Sequence, residues 1–197
     1  MTLTVKDTEG FKSAPAGTHA ARCIKVIDLG TQHSTWGQGE DAKEIVKKQI
    51  LLTWELPLAL IEEGDLKGQP YAVSKFYTAS LNEKANLRKD LESWRGLAFS
   101  EQELLGFNVE DLLGVPCLVS VIHNDKGKAK VTAVTSPPKG MEVPEAINEL
   151  VIFNISEWDQ TKFDNLTDGI KKIVRQSDEY KATFGESEPV DESEIPF

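Results

Sequence analysis

The sequence predicts a mainly β protein: a small five-stranded barrel, a helical insert between its third and fourth strands, and a partly helical C-terminal extension. Three observations predict it. Stretches rich in β-branched and aromatic residues recur five times within residues 17–140, bounded by Gly, Pro and Asn. After the third, Leu87, Leu91 and Trp94 repeat at helical spacing. After the fifth, Pro137-Pro138 stops the pattern. Three strands, a helix and two strands is the order of an OB-fold barrel.

Residues 1–16 are small and polar and predict a flexible arm. The first strand covers Thr18 to Gly30, and "TQHSTWGQGEDAK" reads as a long polar loop. The second strand covers Glu44 to Leu56. Val46, Ile50, Leu52, Trp54 and Leu56 fall on one face; Lys47, Gln49, Thr53 and Glu55 fall on the other; Leu51 breaks the alternation. A loop with Pro57, Gly64, Gly68 and Pro70 leads to the third strand, Tyr71 to Ser80. Ser80-Leu-Asn-Glu83 has capping-box spacing and predicts the helix start, and Gly96 can end the helix. Ser100-Glu-Gln-Glu103 repeats the box for a short helix, and residues 108–113 add a turn. Pro116 to His123 and Ala129 to Thr135 are the last strands, joined by "NDKGK". The barrel domain is therefore 17–140. Residues 141–184 form an extension packed near the barrel, and 185–197 an acidic tail without core-forming periodicity.

The formal charge is -10. Residues 17–135 carry 14 basic against 16 acidic side chains, and residues 136–197 carry 6 against 14. That total argues against a generic polyanion binder, but the excess acid is C-terminal and the front can still carry a basic face. No apolar run approaches the ~20 residues of a membrane helix. The N-terminus lacks the basic-then-apolar layout of a secretory signal. A cytoplasmic protein that does not engage membranes is expected, with Cys23 and Cys117 as buried reduced thiols.

No phosphate-binding Gly loop, nucleophile elbow or paired Cys-x-x-Cys motif occurs in the sequence. His19, His33 and His123 have no metal-ligand spacing. No catalytic residue, metal or cofactor is assigned. A nuclease would need carboxylates converging on a divalent metal.

A single-strand binder needs cations along a groove and aromatic platforms for bases. Lys47 and Gln49 share the less apolar face of the second strand. On the third, Lys75 and Tyr77 point the same way, a cation beside an aromatic plane. Trp36 lies in the first loop among Gly, Gln, Ser and Thr. Arg22, Lys25, Lys48, Lys128 and Lys130 can border the groove, although strand-edge lysines also serve to discourage edge pairing. Tyr71, Phe76 and Trp54 read as core, and Trp94 as the helix anchor. The competing expectation is a structural or adaptor OB protein that binds proteins instead of DNA.

The terminus "DESEIPF" resembles the acidic tip of bacterial and phage single-stranded DNA-binding proteins. The body, with "LLTWELP", "KFYTASLNEKANLRKDLESWRG", "LLGVPCLVSV" and "SPPKGM", resembles the phage-type members of that family over roughly residues 17–141. The resemblance implies a sequence-independent binder that protects strands during phage DNA replication, recombination and repair in the host cytoplasm. It also implies that the tail recruits enzymes of those pathways. Asp191, Glu192 and Glu194 would be its acids and Ile195, Pro196 and Phe197 its terminal wedge. The insert is longer than in bacterial members and the tail shorter, which leaves homo-oligomerisation open.

Overall fold

The computed structural model describes residues 13–37 and 42–185. Its strands are β1 (Gly17–Trp36), β2 (Lys43–Leu60), β3 (Pro70–Thr78), β4 (Pro116–His123), β5 (Ala129–Thr135) and β6 (Val151–Phe153). Its helices are α1 (Asn86–Arg95), α2 (Glu101–Leu104), α3 (Gln160–Asp164), α4 (Asp168–Gln176) and α5 (Asp178–Phe184), with a 3-10 turn at Val109–Leu112.

The strands form one sheet in the order β3-β2-β1-β4-β5, antiparallel throughout. The sixth, β6, adds to β1 in parallel beyond the end of β4. The sheet is not closed, because β3 and β5 are not hydrogen-bonded neighbours. The helix α1 lies across that opening. Asp90 accepts from Lys75 and Tyr77 of β3, Ser136 N–H donates to the Ser93 carbonyl, and the Trp94 indole donates to Pro116.

The inner sheet face carries the main core. Cys23 and Val26 of β1 meet Ile50, Leu52, Trp54 and Leu56 of β2, with Val73 and Tyr77 of β3. Leu87, Leu91 and Trp94 of α1 cover them, and Trp54 and Trp94 pack edge to face at 6.0 Å. Burying each such aliphatic side chain contributes about 1.5–3 kcal/mol. Burial also pushes the Cys23 thiol up to about 12 and raises that of Cys117, so both are poor nucleophiles at neutral pH.

A second core lies on the outer face. Ile27, Leu29 and Leu51 pack with Phe153, Phe163, Ile173 and Val174. Leu51 breaks the alternation of β2 because the extension buries the outer face there. Rings of Trp158, Tyr180 and Phe184 continue this layer, with Trp158 and Phe184 at 4.7 Å.

The segment that leads into the extension is held by two strand residues opposite each other in the ladder, Arg22 and Glu55. The Arg22 guanidinium donates to the carbonyls of Gly114, Val143 and Pro144 at 2.6–3.0 Å and pairs with Glu145 at 3.1 Å. Glu55, 0% exposed, accepts from Ile147 N–H, Asn148 N–H and the Asn148 amide at 2.6–2.8 Å. A cation takes the carbonyls and a carboxylate takes the amides of a strap with little regular structure of its own.

Two local expectations change. The expected loop over residues 31–43 is mostly strand: β1 and β2 stay paired from Thr31↔Lys48 to Trp36↔Lys43. Its Thr, His and Trp residues suit a strand even though, among the described residues, neither core cluster reaches them. The Ser80 box does not form; Ser80 Oγ accepts from Asn82 N–H in a turn, and α1 begins only after Ala85. The Ser100–Glu103 box does form. Among the described residues no helix is long and apolar enough to cross a membrane.

Candidate nucleic-acid interface

The extended β1–β2 hairpin projects as a two-stranded ribbon, and its register fixes what each face carries. Residues directly opposite in a ladder share a face. Trp36 sits opposite Lys43, Gln32 opposite Lys47, and Gly30 opposite Gln49. Trp36, Lys43, Lys47 and Gln49 therefore lie on one face. The indole is 68% exposed, and neither lysine has a salt bridge among the described residues.

The third strand presents the opposite face from the one expected. Lys75 is opposite Leu52 and Tyr77 opposite Ile50, so both point inward. Tyr77 is 3% exposed, and its hydroxyl donates to Asp90 at 2.6 Å. Burial raises its pKa well above the usual tyrosine value, with the Asp90 charge adding to the effect. Lys75 lies 5.2 Å from the Tyr77 ring centre, but Asp90 cancels its charge at 2.6 Å. The pair is a cation beside an aromatic plane, as expected, used to dock α1. Its ring faces are not available to a base. The outward residues of β3 are Ala72, Ser74, Phe76 and Thr78.

The remaining expected contacts separate. Arg22 is spent on the strap. Lys48 faces away from Lys47 and pairs with Asp28 at 2.9 Å, in the wall of a cleft of about 370 Å³ beneath Phe107 and Val109. Lys25 faces outward opposite Thr53 and lines a groove of about 630 Å³. Lys128 and Lys130 are exposed near the β4–β5 turn, which adjoins the Gly17 end of β1 and not the Trp36 end. The structure thus brings Trp36, Lys47 and Gln49 together and leaves the others elsewhere. Asp191, Glu192, Glu194, Ile195, Pro196 and Phe197 lie outside the described residues.

Sequence reasoning missed Lys43 because it assigned that position to a loop. The period-two series Lys43, Lys47 and Gln49 was the available signal. It also missed the base of the ribbon, where His33 joins three elements. Its Nδ1 meets Glu44 at 2.7 Å and its Nε2 meets Asp178 of α5 at 2.9 Å. Only the imidazolium can donate to both carboxylates. The Glu44 bond, then the Asp178 bond, raise the His33 pKa. Glu179 and Lys48 lie on the same side of the ribbon base. Because the folded pKa is raised, this contribution is full below the unfolded value of about 6.5 and is lost as pH rises through the folded one. His33→Gln is expected to lower the urea midpoint relative to the parent at pH 5.5 and to match it at pH 8.5. Equal differences at both pH values would contradict the arrangement.

Among the described residues no group of His, Cys, Asp and Glu is placed to hold a metal ion. No known family model matches the chain, and no curated protein matches it.

Proposed function

We propose that this protein binds single-stranded DNA without sequence preference, through the outer face of the β1–β2 ribbon. The observation that carries the reading is an exposed Trp36 opposite Lys43, with Lys47 on the same face. A flat ring offers every base a stacking surface, and lysines beside it that make no salt bridge among the described residues attract phosphates. The strand order β3-β2-β1-β4-β5, with a helix entering between the third and fourth strands, supports an OB-type barrel left open between its ends. The role is protection of strand intermediates in phage replication, recombination and repair. The acidic terminus around Ile195, Pro196 and Phe197 would recruit the enzymes involved.

A titration of tryptophan fluorescence with oligo-dT at two salt concentrations tests this. Quenching that weakens with salt is expected, and Trp36→Ala should lose about 1–3 kcal/mol of affinity, roughly five- to a hundredfold or more, at unchanged stability. Removing residues 194–197 should leave affinity equal or higher. Absence of both quenching and a mobility shift at low salt would overturn the reading and leave the adaptor alternative. The near balance of charge over residues 17–135 is what favours that alternative.

A further inference from the structure

The groove beside Lys25 has a second wall that the barrel does not supply. On one side is the outer face of β1 and β2, with Lys25 and Thr53. On the other is the extension, with Lys162 of α3 and the neighbouring Asn165. Neither lysine makes a salt bridge among the described residues, and the Asn165 side-chain amide bonds nothing there either. Glu149 is the one carboxylate among the lining residues.

We infer that this groove takes the sugar–phosphate backbone of a single strand and that the C-terminal extension, through Lys162, is part of the binding surface. The inference rests on the single-strand reading above and adds a contact outside the ribbon. Two cations from separate elements converge on a groove with room for a nucleotide unit. Lys25 is half-buried, where its charge is felt more strongly than on an open surface, and Lys162 stands exposed at the groove rim. The exposed Asn165 amide is a neutral group of the kind that bonds phosphate and sugar oxygens, whereas the buried Thr53 hydroxyl is engaged with Ser74. The cleft at Lys48 makes the opposite case. Its cation is cancelled by Asp28, and Glu110 lines the same space, so a phosphate gains nothing there.

The test is the salt dependence of oligo-dT binding by the full chain. Each lysine that neutralises a phosphate contributes about 0.7 to the steepness of log affinity against log salt on a single strand. Lys162→Ala and Lys25→Ala are each expected to lower the steepness by about 0.7, and the double variant by about twice that. Affinity should fall several-fold at low salt and converge with the parent at high salt. Lys162→Arg should keep the parental slope. Lys162 is exposed, and neither lysine makes a salt bridge among the described residues, so urea midpoints near the parent's are expected and confirm that each variant folds. Parental slopes in the alanine variants, with Trp36→Ala still weakened, would overturn this inference and leave the ribbon reading intact. Absence of binding by the parent would overturn both.

Discussion

Gly30→Ala is expected to destabilise the protein by about 2–4 kcal/mol. Gly30 has φ +74°, and a Cβ there would lie 2.6 Å from both Glu179 Oε2 and Ser177 Cβ. The left-handed backbone alone costs a non-Gly residue roughly 1–2 kcal/mol. The remainder comes from crowding, because Ser177 is fully buried and belongs to the tight join between α4 and α5. Its hydroxyl donates to the Val174 carbonyl and accepts from Tyr180 N–H. Displacing α5 would also release Glu179 from Thr31, whose N–H and hydroxyl it accepts at 2.7 and 2.8 Å. Urea unfolding measures the loss, and amide exchange at Thr31 locates it. A parental midpoint with Thr31 still protected would mean that α5 does not seat against β1 in this way.

Glu55→Ala is expected to cost about 3 kcal/mol and to free the strap at residues 147–148. Three strap donors lose a buried charged acceptor, and hydrogen bonds to a charged group contribute about 1.5–3 kcal/mol. Glu55→Gln should fall between, because an amide can accept at one position but presents its own donors at the other. Chemical denaturation gives the magnitude, and faster amide exchange confined to Ile147 and Asn148 would assign it to the strap. Exchange that rises evenly through β2 would instead place the loss in the sheet.

Much of the strand pattern was legible because apolar residues alternate along β2, burial imposes period two on β4, and Leu87, Leu91 and Trp94 recur at helical spacing. The expected helix boundary was wrong at Ser80 because a serine oxygen can serve an ordinary turn as well as a cap, and the local sequence does not separate the two. The inward direction of Lys75 and Tyr77 was hidden for a different reason. Both faces of β3 hold polar and aromatic residues, and only Asp90, on a later helix, decides which side is covered. The role of Arg22 depends on carbonyls that arrive about 120 positions later. Leu51 was the most informative irregularity: an apolar residue on a polar face marks a second layer before that layer is identified. Lys162 carried no local signal, since its significance depends on standing beside Lys25.

The strap between sheet and extension also bears on which positions can drift. Arg22 and Glu55 grip mainly main-chain oxygens, which every residue supplies, and amides, which every residue but proline supplies. The joining segment can therefore change most of its side chains without loosening the join. The two strand positions cannot change without it. The specification of where the C-terminal layer attaches is thus stored far upstream of the layer itself, in one pair of facing side chains on β1 and β2.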